Sequence, residues 1–308
     1  MLTDNDTSPL FDAIRRRDVD ACAALLRGNI PLERSEKGFP PLHCAALTGS
    51  VDLCALLLDH GAEVDEAARN GCTALHYAVD SGSEALCAFL LDRGASHRMN
   101  TLGTSPLLRA IDGRHERLCA LLLARGAACV AYPAARNPVI WAAGMNDVRI
   151  CEMLLRHGMA QVPDELGKTP LIHAAFAGSL EMCALLLRFG ASVNYKLPNR
   201  GTALHCAAQQ GHAEVCRLLL AHGAKQVKGP RGCTPLIVAA QDGYVDVCRV
   251  LIDYGATNES RDDGMTPYTM AEQYGHEETF LLLWDEFESE FATEGKPLKH
   301  IGDQWLAA

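Results

Sequence analysis

Two kinds of apolar stretch alternate along almost the entire chain. A short Ala-rich one reads PPLHCAALTG, TALHYAVDSG, TPLIHAAFAG, TALHCAAQQG, TPLIVAAQDG and TPYTMAEQYG, and each is followed by a longer one such as VDLCALLLDHGA, EALCAFLLDRGA or AEVCRLLLAHGA. Thr or Ser followed by Pro predicts a helix start, because the hydroxyl caps a free N–H and Pro has none to lose at the first helical position. The short helix stops at Gly49, Gly82, Gly178, Gly211, Gly243 and Gly275. In the second stretch, apolar residues fall at the thirteenth, fourteenth, sixteenth, seventeenth and eighteenth positions after the Thr or Ser anchor. That spacing makes one broad buried helix face. The second helix ends at Gly61, Gly94, Gly126, Gly158, Gly190, Gly223 and Gly255, the left-handed stop position. His60, His157 and His222 directly precede three of these glycines, where a partly cationic imidazole suits the negative end of the helix dipole. The polar residues left over in each period predict turns of the kind found at β-hairpin tips.

Eight cysteines serve as a ruler for the period: Cys22, Cys54, Cys87, Cys119, Cys151, Cys183, Cys216 and Cys248 stand 32 or 33 residues apart. Stepping back fourteen residues gives the anchors Ser8, Pro40, Thr73, Ser105, Asn137, Thr169, Thr202, Thr234 and, from Phe280, Thr266. Such a period marks a repeat array, in which each unit contacts only its neighbours. The pattern closely resembles the ankyrin repeat, G-x-T-P-L-H-x-A-A-x-x-G followed by a Leu-rich helix and G-A-x-V-N. The resemblance covers nearly the whole chain. It implies an all-α fold with short β-hairpin turns: about nine helix-turn-helix units stacked into a curved solenoid over residues 1–291, with a C-terminal tail at 292–308. The units run about 4–35, 36–68, 69–100, 101–132, 133–164, 165–197, 198–229, 230–261 and 262–291. At the usual spacing of packed helices, the stack would be roughly 80 Å long.

Three places depart from the repeat. In the first unit Asn29 and Arg17 replace the glycines, as expected of a polar cap. In the last, Phe287 replaces the final Gly, and Phe280, Trp284, Phe287 and Phe291 continue at helical spacing. This predicts a lengthened capping helix. The fifth unit, AARNPVIWAAGMNDVRICEMLLRHG, lacks the Gly, Thr and His of the pattern and carries Trp141 instead. The tail sequence KPLKHIGDQWLAA has no repeat counterpart.

Composition narrows the function. Apolar residues make up 48% of the chain, enough for a continuous core, and net charge is −10 with no basic run longer than Arg15-Arg16-Arg17. Nucleic acid and anionic membrane, which leave a basic footprint on their binders, are therefore disfavoured as partners. No run approaches the roughly 18–20 apolar residues needed to span a bilayer, and the acidic start MLTDNDTSPL does not read as a signal peptide. We expect a monomer of a reducing compartment, cytosol first and nucleus second.

The cysteine column invites metal or disulfide chemistry. Its members should lie one helix spacing apart, about 8–10 Å, too far for a disulfide. No C-x-x-C pair exists, so we read the column as small buried hydrophobes. Of the other five, Cys44, Cys72, Cys129, Cys206 and Cys233, we expect Cys72 and Cys233 to be exposed at the hairpin edge and the first to react. By the resemblance, His43, His76 and His205 occupy the TPLH position and hydrogen-bond neighbouring backbone. No catalytic motif stands out, and we expect neither enzyme activity nor a cofactor or metal.

Function must then come from surface. The resemblance implies that an unidentified protein partner binds the concave face through hairpin tips and first-helix edges. Most such positions are polar, but Leu102, Pro133, Met145, Leu166 and Phe176 fall on them, with Tyr132 and Trp141 close by. Exposed aromatic and Met side chains suit a binding hot spot; Trp141 could instead pack inward to fill its altered unit. The leading reading is a scaffold or adaptor. The helices at 214–220 and 246–252 resemble those of ankyrin proteins with a suppressor-of-cytokine-signalling box. They suggest a substrate-recognition adaptor of a ubiquitin ligase, although no such box is recognisable after Phe291. A third reading is a regulatory subunit of a separate enzyme. Asn194, in LLLRFGASVNY, resembles the repeat asparagine that is hydroxylated in some ankyrin proteins, and equally reads as a turn residue.

Overall fold

A computed structural model describes residues 8–28 and 30–293, with 135 and 288–293 as backbone only. Eighteen α-helices come in nine pairs among these residues. The pairs are α1 (Pro9–Arg15) with α2 (Val19–Arg27), α3 (Pro41–Thr48) with α4 (Val51–Asp59), α5 (Ala74–Asp80) with α6 (Glu84–Asp92), and α7 (Pro106–Asp112) with α8 (Glu116–Ala124). Next come α9 (Pro138–Gly144) with α10 (Val148–Arg156) and α11 (Pro170–Phe176) with α12 (Leu180–Arg188). The last three are α13 (Ala203–Gln209) with α14 (Ala213–Ala221), α15 (Pro235–Gln241) with α16 (Val245–Asp253), and α17 (Pro267–Tyr274) with α18 (Glu277–Thr293).

The chain forms two compact units, Met1–Glu165 and Leu166–Ala308. Within the first, each of α1, α3, α5 and α7 packs on the next odd-numbered helix and each of α2, α4, α6 and α8 on the next even-numbered one. Within the second, α11, α13, α15 and α17 form one such row and α12, α14, α16 and α18 the other.

Local chemistry sets the helix ends. The Ser105 hydroxyl accepts the N–H of Leu108 at 3.2 Å, and those of Thr169 and Thr234 accept from Ile172 and Ile237 at 3.3 Å. Asn137 does the same work in the fifth pair, its Oδ1 accepting from Val139 at 2.9 Å. The second helices have caps that the repeat pattern did not reveal: Asp18, Ser50, Ser83, Asp147 and Ser179 accept the N–H three residues on. At the far end, the Nδ1 atoms of His60, His157 and His222 hydrogen-bond the carbonyls of Leu56, Met153 and Leu218 at 2.8–2.9 Å. Each imidazole thus adds a second hydrogen bond to a carbonyl that the backbone N–H of the same histidine already bonds.

The cores are built from Leu, Ala and Cys. Every cysteine of the column is fully buried, together with Leu53, Leu57, Leu86, Leu90, Leu122, Leu154, Leu186 and Leu219. The expected β-hairpins are tight turns, and no strand forms among the described residues. The Ala68 N–H donates to the Cys72 carbonyl and the Gly71 N–H to that of Ala68, both at 2.8 Å, which leaves no length for a ladder. Gly71 is required there: its φ is +75°, and a Cβ would lie 2.7 Å from the Thr101 nitrogen of the next tip. The last helix is lengthened as expected, to 17 residues. Phe280 and Phe287 are buried on it, and the Tyr268 ring packs tilted against both Phe280, 4.7 Å away, and Trp284, 5.6 Å away. The side chain of Phe291, Asn29 and the segment 294–308 lie outside the described residues.

Candidate functional site

The surface of interest starts at the turn tips. Asn100 organises the tip before α7, its Oδ1 accepting the N–H groups of both Leu102 and Thr104 at 2.9 Å. With its polar atoms satisfied, that turn projects the Leu102 side chain outward, 71% exposed. Leu166 holds the corresponding place before α11 and is 70% exposed, and Phe176 at the end of α11 is 50% exposed. The Lys168 ammonium lies 5.7 Å from the centre of the Phe176 ring. Pro133 is exposed and leads into the short 3-10 turn Ala134–Arg136.

The other three residues singled out from the sequence are half-buried. The hydroxyl of Tyr132 hydrogen-bonds Ser105 Oγ at 3.1 Å and the Ala127 carbonyl at 3.4 Å, so it ties the tip to the scaffold. Burial raises its pKa. Met145 ends α9, and its carbonyl accepts from the Arg114 guanidinium at 3.1 Å. Trp141 stays on the surface rather than entering the core: its indole N–H donates to Asp112, and the Arg136 guanidinium stands 5.4 Å from its ring. The same register recurs one unit earlier, where Arg109 pairs with Asp80 and its guanidinium lies 5.8 Å from the Tyr77 ring. Leu102, Tyr132, Pro133, Trp141 and Met145 belong to the first compact unit, Leu166 and Phe176 to the second. Exposed Tyr274 was missed, although it sits eight residues after Thr266, the offset that Met145 occupies after Asn137.

A family model for ankyrin repeats in three copies matches residues 1–68, 64–133, 131–197, 190–262 and 224–294. The chain belongs to the ankyrin repeat family. It is also 37% identical over 70 residues to the human 2-5A-dependent ribonuclease, a stretch that is 22% of this chain and 9% of that protein. The chain therefore spans only a small part of this relative's length. Ankyrin arrays are protein–protein interaction modules and are generally not catalytic.

The polar groups buried in this ankyrin array are structural. Nε2 of His43 hydrogen-bonds the Glu66 carbonyl near the end of its own unit at 2.9 Å, and those of His76 and His205 reach a carbonyl of the following unit, Thr104 at 3.0 Å and Cys233 at 3.1 Å. Burial holds the first two imidazoles down to about 4 and lowers the third. Burial likewise pushes the column thiols from Cys54 to Cys248 up to about 12, and raises that of Cys22. Thiols in this state are inert near neutrality.

The exposure expected of Cys72 and Cys233 is corrected: both are buried. Cys72 is covered by the Arg109 guanidinium of the next unit, which donates to its sulfur at 3.1 Å, and by the Asn100 amide at the end of its own unit, which donates at 3.4 Å. The exposed thiol is Cys129. Among the described residues, no group of three or more His, Cys, Asp and Glu could hold a metal ion, and no helix is long and apolar enough to cross a membrane. Asn194 bridges two units, donating from Nδ2 to the Gly223 carbonyl at 2.9 Å and accepting the Lys225 N–H at 2.8 Å.

Proposed function

We propose that this ankyrin chain is a non-enzymatic scaffold or adaptor that captures a partner protein through the turn tips and first-helix ends that each compact unit exposes. One observation carries the reading. Leu102, Leu166 and Phe176 stand largely exposed, at places where the fold asks for no apolar side chain, while the cores beneath are closed. Large exposed apolar side chains at such positions are what partner recognition uses. Thirteen cysteines, all free among the described residues, fit a reducing compartment, cytosol or nucleus.

The test is affinity capture with mass spectrometry, comparing wild type with Phe176→Ala. The expected result is weaker capture with an unchanged melting temperature. A lowered melting temperature with unchanged capture would overturn the reading.

A further inference from the structure

The first compact unit carries one patch whose chemistry is uneven. Leu102 projects from its tip, and Gly103 beside it lies against the stem of Arg136, so that a Cβ on Gly103 would meet Arg136 Cγ at 3.7 Å. The Arg136 guanidinium stands 5.4 Å from the Trp141 ring. Pro133, exposed, leads into the turn that carries Arg136. An aliphatic side chain, a guanidinium and an indole thus follow one another on the surface.

The charges there do not balance. Arg109 pairs with Asp80 and Arg34 with Glu66. Arg136 has no carboxylate partner among the described residues, and Asp112 is engaged by the Trp141 indole without an ion pair to Arg136. A guanidinium is the side chain best suited to a planar carboxylate, which it can bind through two parallel hydrogen bonds.

The geometry points to an extended peptide segment of a partner protein, with an Asp or Glu set beside an aliphatic residue: the carboxylate pairs with Arg136 and the alkyl group covers Leu102 and the edge of Trp141. This rests on the reading of the chain as a binding module and names the chemistry of its partner. Leu102 and Pro133 suit an alkyl group better than a flat base. The net charge of −10 repels polyanions over long range but admits a single carboxylate on an otherwise neutral strand.

Selection of phage-displayed random peptides on the purified chain tests this. Enriched peptides should carry Asp or Glu next to Leu, Ile or Met. In fluorescence anisotropy they should bind R136A and L102S about tenfold or more weakly, and R231A as well as wild type. R136E should favour the matching peptides with Lys in place of the acid, an exchange that loss of folding cannot produce. No enrichment, binders that prefer Lys on the wild type, or affinity indifferent to R136A and L102S would each overturn the inference. Binders sensitive to Phe176→Ala instead would overturn it while leaving the scaffold reading intact. Displacement of the peptide by AMP, lost in R136A, would place a nucleotide there and overturn it as well.

Discussion

Thr73 donates its backbone N–H to Nδ1 of His76 at 3.1 Å, and its hydroxyl lies the same distance from that atom. Thr202 and His205 repeat the arrangement at 3.3 and 2.9 Å. Pro40 holds the equivalent place before His43 and has neither a hydroxyl nor an N–H, so the buried Nδ1 of His43 has no hydrogen-bond partner among the described residues. An unsatisfied buried acceptor costs about 1–3 kcal/mol. Pro40→Thr should therefore stabilise the chain by about 1 kcal/mol, less than the full penalty because Pro also stiffens the unfolded chain. Urea unfolding followed by circular dichroism checks it, and an unchanged or lower midpoint would refute it.

The same histidines make stability depend on pH. His43 and His76 titrate at about 4 when folded, against an ordinary value of 6.5, because burial disfavours the cation. The unfolded chain therefore binds protons that the folded chain refuses. Their contribution is complete above pH 6.5 and is lost as pH falls toward 4, by up to about 3 kcal/mol for each. Burial of Asp80, Asp242 and Glu272 raises their pKa values and acts in the opposite sense, so the measurement must be a difference. Between pH 7 and 4.5, His76→Gln should lose about 2 kcal/mol less unfolding free energy than wild type. Equal slopes would show that His76 does not titrate as its burial requires.

Most of the fold was legible because each unit carries its own local signals. Thr-Pro starts, Gly stops and a cysteine on the buried face recur with little noise, and they give helix order and core residues without reference to the rest of the chain. The caps of the second helices at Ser50, Ser83 and Ser179 were also present in the sequence, each directly after the Gly stop, and went unread. Cys72 was misjudged for a different reason. Its own turn suggested exposure, but Asn100, 28 residues on, and Arg109 of the next unit cover it, and local sequence says nothing of what a distant segment overlays. The bond from Trp141 to Asp112 was reachable in principle, since Arg109 and Asp80 stand at the same two offsets from their anchors.

Burial ranks the thiols by reactivity. Cys129 is exposed, Cys206 is half-buried, and the column is buried with its thiols held near 12 where a value is resolved. The native chain treated with Ellman's reagent at pH 8 should show a single fast thiol, removed by Cys129→Ser, with the column reacting only as the array opens. A fast phase that survives Cys129→Ser would contradict the burial pattern.

Arg114 occupies the left-handed region, at φ +53°, where most units have Gly. That conformation costs a residue with a Cβ roughly 1–2 kcal/mol. Its guanidinium donates to the Met145 carbonyl at 3.1 Å, and Arg17, at φ +56°, donates likewise to the Thr48 carbonyl. Each Arg thus offsets its strain by bonding the last turn of the next unit's first helix. An exposed bond of this kind contributes on the order of 1 kcal/mol, so Arg114→Gly, which removes strain and bond together, should be nearly neutral. Arg114→Ala keeps the strain and loses the bond, and should destabilise by about 1 kcal/mol. The ordering in urea, wild type and Gly together with Ala below both, separates the two effects. If Ala matches Gly, the backbone at this position carries no strain, and the contact with Met145 must be weighed alone.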